Sequence, residues 1–529
     1  MPAQVDQSIV IEFLSQPGSY GSGRDPAQIT DVQVITTHAS VIFLAGAYAY
    51  KLKRAVTYSY LDYSTVAQRQ QACAEELRLN RRTAPTLYLD IWPIHRGPDG
   101  RLSLKGSGDV VDWVVVMRRF PQENLFSALV DHHLLTNPLL NHLTDRIVTF
   151  HDTAEVDRGF GGAAGVTAVI DINDENLRRT LTDPESARKI DALLDATMAA
   201  WRQYRPLLDQ RRDDGRVRQC HGDLHLGNIC LVDGTPTLFD CIEFSRLISC
   251  IDVLYDLAFL LMDLRHRGLT RQAGQVFNRY LDLTRDDDGL PLMPLFMSLR
   301  AAVRAHVTAA AAGPAQDGSK LAEAKVYLDL ALELLQPKPV RLIAIGGLSG
   351  SGKSSVAAAL AGEFGSGAGA RVLRSDVVRK QLFNVAPEQP LTSEAYRPEV
   401  SSEVYRELLR RAGDVLRGGQ SVIIDSVAAR PAERDSMSAL AAELGVGFSG
   451  IWLDVAGETM LQRVAERGKD ASDANAAVVE QQLGYDLGPM AWHRLDANGA
   501  RGAVVDAVRD YLKDGEPGHA MTGSRTSAE

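Results

Sequence analysis

The sequence predicts two successive domains of different class: a two-lobed α+β domain over residues 1–337, then an α/β domain with a parallel sheet over 340–513. Three observations predict this. Strand-like, helical and again strand-like stretches follow one another between residues 32 and 120, and helical periodicity then dominates to residue 335. Gln336-Pro-Lys-Pro339 interrupts that pattern, because proline lacks an N–H and cannot continue a helix. Beyond it, apolar β-branched strands alternate with helical runs, the order expected of a parallel sheet with crossover helices.

In the first domain, residues 31–38 (DVQVITTH), 40–46 (SVIFLAG) and 47–54 (AYAYKLKR) alternate as three short strands with turns near Ala39 and Gly46. A helix over about Ser64–Arg82 carries Glu75 and Glu76. Strands over 87–94 and 110–120 complete an N-lobe of about 30–120. The C-lobe, about 121–337, opens with helices from Glu123 to Arg211, broken by Gly159–Gly165, which reads as a loop or small hairpin. Helices are expected at 251–266, 269–283, 292–312 and 319–335. In the second domain RLIAIGG, RVLRSD, SVIID and GFSGIWLDV read as strands, and the polar tail 514–529 reads as disordered.

Bulk properties narrow the function. Hydrophobic residues make up 45% and charged residues 23% of the 529 residues, with net charge −10. An acidic balance disfavours general binding to nucleic acid or to an anionic membrane. The most apolar run, Ile251–Leu264, is broken by Asp252, Asp256 and Asp263, so no membrane span is expected. No basic-then-apolar leader opens the sequence, which points to a cytoplasmic protein. Cys73, Cys220, Cys230, Cys241 and Cys250 include no C-x-x-C pair and read as buried reduced thiols, with Cys220 and Cys241 flanking the motifs below.

The first motif spans residues 221–228, His-Gly-Asp-Leu-His-Leu-Gly-Asn, and is followed by Leu-Phe-Asp at 238–240. Phosphoryl transfer needs positioning and charge compensation more than covalent chemistry. A carboxylate such as Asp223 suits orienting an acceptor hydroxyl and taking its proton, and Asn228 and Asp240 offer oxygens to a metal. The second motif, Gly347-Leu-Ser-Gly-Ser-Gly-Lys353-Ser354, is a complete P-loop between an apolar strand and a helix that continues through Ser355. Gly347, Gly350 and Gly352 let backbone N–H groups wrap phosphates, with Leu348, Ser349 and Ser351 between them; Lys353 neutralises phosphate charge and Ser354 suits Mg²⁺. Asp376, at a strand end, faces the substrate crevice or caps the next helix. Asp425, ending SVIID, is the expected metal-binding carboxylate of that site.

HGDLHLGN with LFDCIEF resembles the motif of aminoglycoside phosphotransferases, choline kinases and their relatives, over about residues 30–335. The resemblance implies a protein-kinase-like fold, Asp223 as catalytic base, Asn228 and Asp240 as metal ligands, and His221 as a structural residue beneath the loop. It makes Asp256 an anchor for the loop backbone; His225 itself reads as a mobile, solvated side chain of the loop. Tyr50-Lys51-Leu52-Lys53 resembles the strand bearing the phosphate-binding lysine. Lys51 with Glu76 is the expected pair; Lys53 shares its strand face, and Glu75 is the alternative acid. No Gly-x-Gly-x-x-Gly precedes Lys51; the turn Thr37–Ser40 stands there, its hydroxyls available to phosphate, and Met117–Phe120 stands at the hinge.

Residues 341–510 resemble small P-loop kinases of the gluconate kinase, polynucleotide kinase and zeta toxin type, a P-loop NTPase fold. That resemblance implies Asp376 as the base, Arg379 on substrate, and Arg463 and Arg467 on a lid over ATP, with Asp470 and Asp473 following. Arg430 and Arg434 read equally as substrate residues or as a solvated helix face. The whole resembles bacterial fusions of the two domain types. It implies an ATP- and Mg²⁺-dependent kinase acting on a small hydroxyl-bearing substrate, possessing two nucleotide sites and needing neither nucleic acid nor membrane. The alternative is a regulatory ATP-binding protein in which one site gates the other.

Overall fold

The computed structural model describes residues 7–20, 29–37, 39–58, 61–313, 317–466 and 471–514. His38, Arg467, Asp470 and the tail beyond residue 514 lie outside them. The chain divides into two compact units, residues 1–176 with 198–263, and residues 177–197 with 264–529.

The first unit contains α1 (Ser8–Leu14), β1 (Val32–Thr36), β2 (Ser40–Ala45), β3 (Tyr48–Lys53), a small hairpin of β4 (Thr57–Tyr58) and β5 (Leu61–Asp62), α2 (Val66–Asn80), β6 (Tyr88–Arg96), β7 (Leu102–Leu104) and β8 (Asp109–Arg118). These strands form an antiparallel sheet in the order β1-β2-β3-β8-β6-β7. Strand alternation sends Tyr50 and Leu52 into a cluster with Val10 and Leu14 of α1. Lys51 and Lys53 therefore face the other side, where α2 lies. Two features seat α2. Thr65 and Gln68 form a capping box at its start. One turn in, fully buried Arg69 grips Asp112 of β8 through two bonds of 2.8 and 3.0 Å, and the Gln7 amide adds a third at 2.7 Å. Glu76 lies seven residues after Arg69 on the same helix face and so points at β3.

Helices α3 (Phe126–Asp131), α4 (Asn137–Thr153), α5 (Gly162–Thr180) and α6 (Pro184–Asp213) follow. The Gly159–Gly165 segment is not a hairpin: α5 begins inside it at Gly162. Short ladders pair β9 (Val217–Gln219) with β12 (Cys250–Asp252), and β10 (Ile229–Val232) with β11 (Thr235–Leu238). Helix α7 (Arg246–Ser249) precedes β12, and α8 (Val253–His266) follows it, so the expected helix at 251 starts two residues later. Neither α1 nor the strands β4, β5 and β7 was expected; each is short and carries little periodicity.

The second unit contains α9 (Thr270–Thr284), α10 (Met293–Ala310), α11 (Gly318–Leu334), β13 (Arg341–Gly346), α12 (Lys353–Leu360), β14 (Arg371–Arg374), α13 (Ser375–Leu382), α14 (Pro398–Arg417), β15 (Val422–Asp425), α15 (Pro431–Leu444), β16 (Gly447–Asp454), α16 (Gly457–Ala465), α17 (Ala476–Leu483), β17 (His493–Asp496) and α18 (Arg501–Asp514). Its five-stranded sheet, β14-β15-β13-β16-β17, is parallel throughout. Ile343, Ile345, Ile423, Ile451 and Leu453 form its core with α12 and α18. The edge strand β14 is covered by α9. The Asn278 amide accepts from Val372 N–H at 2.7 Å and donates to Ala370 O at 3.1 Å, as a neighbouring strand would. Arg371, 1% exposed, pairs with Asp282 at 2.7 Å and Asp287 at 2.8 Å. An uncovered edge invites pairing with other chains, so this contact protects the sheet.

Candidate active sites

The first site assembles where β3, α2 and the loops after β9 and β11 meet. Lys51 Nζ donates to Glu76 Oε1 at 2.8 Å and to Asp240 Oδ1 at 2.5 Å. Glu75 is instead held by Arg78 on the helix surface. Burial alone raises the Glu76 carboxyl, but the ammonium groups of Lys51 and Lys53 bring it down to about 2. Burial alone lowers the Lys51 amine, and Asp240 and Glu76 together drive it well above its usual value. Both charges are thus fixed at neutral pH. Lys53 is not a solvent-facing strand charge: it is 2% exposed and ion-paired with Glu76 and Glu243.

Asp223 and Asn228 are held together, the Asn228 amide donating to Asp223 Oδ2 at 2.8 Å. That leaves the Asn228 carbonyl oxygen as a donor for a cation. The loop rests on buried Asp256, which accepts the His221 N–H at 3.1 Å and the Gly222 N–H at 2.8 Å. His221 is fully buried with Nε2 2.9 Å from Phe239 O. His225 is not solvated. Its Nδ1 accepts the Gly227 N–H at 3.0 Å, and its ring packs edge-on against Phe259. Asp240 follows β11 with φ +64°, a left-handed conformation that Asp tolerates better than most residues. Its side chain is 41% exposed, so it presents a carboxylate outward. Thr37 spends its hydroxyl on closing the β1–β2 turn, accepting the Ser40 N–H at 3.0 Å. Arg118, in the hinge stretch, pairs with Asp233. All five cysteines are buried, and burial pushes the Cys241 thiol up to about 12.

The second site lies at the carboxyl ends of β13, β14 and β15. Residues 347–352 link β13 to α12, whose first three residues are Lys353, Ser354 and Ser355. The loop needs glycine: at Gly350 φ is +85°, and a Cβ would lie 2.6 Å from Met460 O. Lys353 Nζ donates to Leu348 O at 3.0 Å. Arg374, at the end of β14, donates to Ser354 Oγ at 3.3 Å and lies 3.4 Å from Asp425 Oδ2. Asp376 is the second residue of α13, after an N-cap at Arg374 that makes no side-chain cap bond, so it is not the cap itself. Burial raises its carboxyl, and Asp425 adds to this; Arg374 and Lys353 oppose.

Other expected residues turn to protein partners. Arg379 donates to Ala395 O at 2.5 Å and lies over the Tyr396 ring at 4.8 Å. Arg463 donates to Ala497 O at 2.9 Å. Arg434 is neither solvated nor aimed at a ligand: it is 2% exposed and holds the carbonyls of Ala428, Ala429, Leu487 and Pro489. Asp473 ties Lys380, Tyr396 and the Leu391 N–H together. Sequence reasoning weighed Lys53 only as an alternative to Lys51 and missed its partner Glu243; it also missed Arg374, and Gln482 of α17, whose side-chain carbonyl accepts the Ser349 N–H at 2.7 Å. For Arg374 a signal existed, since it stands two residues before Asp376 at the same strand end. Gln482 had none.

Residues 62–292 match the phosphotransferase enzyme family, and residues 342–485 match an AAA domain family. Uncharacterized proteins of Mycobacterium tuberculosis and Mycobacterium bovis are 31% identical over 494 residues, covering 90% of this chain and 95% of theirs. Among solved structures, an ethanolamine kinase of Plasmodium vivax is 11% identical over 58% of this chain and 83% of its own, with TM-score 0.37. A thermostable mutant of an aminoglycoside phosphotransferase is 14% identical over 58% of this chain and 94% of its own, with TM-score 0.36. A gluconokinase from Sinorhizobium meliloti is 21% identical over 34% of this chain and 98% of its own, with TM-score 0.23.

Proposed function

The chain belongs to one family with these mycobacterial proteins and joins a kinase-like phosphotransferase domain to a P-loop kinase-like domain; from that premise we propose an ATP-dependent phosphotransferase with two nucleotide sites, each serving the hydroxyl of a small molecule. The functional boundary is Gln336–Pro339, and the setting is the cytoplasm. The observation that carries the reading is the first site's charge pattern: a Lys51–Glu76 pair beside Asp240, and Asp223 held by Asn228.

At the first site Asp223 orients the acceptor hydroxyl and takes its proton as the oxygen–phosphorus bond forms and the bond to the ADP oxygen breaks. Lys51 turns from Asp240 to the nucleotide phosphates. At the second site the loop N–H groups and Lys353 hold phosphate, and Asp376 takes the acceptor proton. Asp240 with the Asn228 carbonyl, and Ser354 with Asp425, are hard oxygen donors suited to Mg²⁺. When bound, Mg²⁺ supplies charge neutralisation between the phosphates. Arg379 and Arg463 reach a ligand only by leaving Ala395 and Ala497.

The test is transfer of labelled γ-phosphate by the full chain to sugars, amino alcohols, nucleosides and aminoglycosides, with Asp223→Ala and Lys353→Ala read in parallel. Each variant is expected to remove one activity. Label reaching no acceptor class, or a variant that keeps both activities, sinks the proposal. Loss of both activities in Lys353→Ala would mean that one site gates the other.

A further inference from the structure

The first site holds two buried lysines, and one carboxylate serves both. Glu76 presents Oε1 to Lys51 at 2.8 Å and Oε2 to Lys53. Each lysine has a second carboxylate from the segment after β11, Asp240 for Lys51 and Glu243 for Lys53. The two arms differ in their surroundings. Asp240 is 41% exposed and Lys51 10%, whereas Glu243 is 5% and Lys53 3% exposed at the side chain. Glu243 also accepts the Tyr63 hydroxyl at 2.5 Å, and Lys53 lies 5.3 Å from the centre of that ring. The side chains of the inner arm are buried, while the outer arm opens to solvent at Asp240.

We propose that Lys53 is a positioning residue that holds Glu76 and the 240–243 segment in register while Lys51 leaves them for a nucleotide. This rests on the reading of the first site as a nucleotide site. Were Lys51 the only partner of Glu76, its departure would strand a fully buried carboxylate, which is costly. Lys53 keeps that carboxylate compensated, so the exchange of Lys51 from Asp240 to phosphate is cheap. Lys53 touches no ligand in this scheme. The two lysines, alike in spacing and strand face, divide binding from positioning.

The test measures Mg–ATP affinity by calorimetry in the full chain carrying Lys353→Ala, which removes the phosphate-binding lysine of the second site. In that background Lys53→Met with Glu243→Gln deletes both charges of the inner arm, so no lone charge of that pair stays buried. The double variant is expected to keep its cooperative melt and to bind Mg–ATP about tenfold more weakly. Glu243→Gln alone, which leaves Lys53 on Glu76, is expected within about threefold of the parent, and Lys53→Arg likewise. A folded double variant with parental affinity overturns the proposal. So does a Lys53→Arg or Glu243→Gln variant as weak as the double one, an arm that stays readable if the double variant fails to fold. No Mg–ATP binding by the Lys353→Ala parent overturns the nucleotide site itself, and this inference with it.

Discussion

Asp223 and Asp240 sit seventeen residues apart in sequence, and their surroundings differ. Asp223 accepts from the neutral amide of Asn228 and lies 3.4 Å from His225 Nε2, whereas Asp240 is bound to a cation, Lys51; under the proposed function the first takes a proton and the second meets a metal. Asp223→Ala is expected to lower first-site transfer by about 10²–10⁴-fold with nucleotide affinity near wild type. Asp240→Asn tolerates the same left-handed backbone and removes only charge, so it is expected to weaken Mg–ATP binding. Equal loss of affinity in both variants, measured by calorimetry, would contradict this division. At the second site the raised Asp376 carboxyl sets a pH dependence. A raised acid stays protonated to higher pH, so a base at this position gains function as pH rises through the raised value. Its ionisation also costs folding stability over that same window, because the unfolded chain releases the proton earlier. Second-site transfer should therefore fall with acid at a pH above the ordinary Asp value of about 3.9, and Asp376→Asn should lose transfer while keeping ATP. Full transfer by Asp376→Asn would move the role to Asp425.

Helix α2 shows how an element places a site residue. Its capping box fixes where it starts, and Arg69 on Asp112 fixes which way it faces; Glu76 then meets β3. The two devices differ in magnitude. Thr65→Ala is expected to cost about 1 kcal/mol. Arg69→Met leaves the buried Asp112 carboxylate without its cation and is expected to cost about 3–5 kcal/mol. Urea unfolding of the two variants checks the order, and an Arg69→Met cost below that of Thr65→Ala would show that α2 is seated elsewhere. The same logic runs through α13 in the second unit. Arg411 of α14 bonds both Gln381 of α13 and Asp287, and Gln381 bonds Asp282 O, so the helix bearing Asp376 and Arg379 is braced by α9 and the turn after it.

Across the whole molecule, the proposed functional boundary at Gln336–Pro339 and the packing of the second unit do not coincide. Residues 264–335 belong to the compact unit that contains the P-loop sheet, and α9 covers its edge strand β14. Cutting at 339 would remove Asn278, Asp282 and Asp287 and leave β14 open. A fragment of residues 339–529 is therefore expected to melt cooperatively but at lower temperature than the second unit in the full chain, and to self-associate as concentration rises. Calorimetry and light scattering test this. A monomeric fragment with an unchanged melting temperature would show that α9 contributes nothing to the P-loop domain.

What the sequence alone determined about this protein is whatever a short stretch of chain settles by itself. The loop 347–354 works through its own backbone, so glycine positions and one lysine identify it; Asp223 and Asn228 lie one tight loop apart; strand alternation and helical period reveal β1–β3, α2 and the parallel β13–β16 series. The alternation also placed Lys51 and Lys53 on one face, and for that reason it was unable to tell them apart. Only the tertiary structure decided which carboxylates they meet. Lys53 finds Glu243 across 190 residues and Arg69 finds Asp112 across 43, while Asn278 finds a strand edge 94 residues away. Local pattern encodes backbone conformation and which face is apolar. Which distant charges come into contact is set by how the elements pack, and burial then turns those contacts into fixed charge states that no stretch of sequence displays.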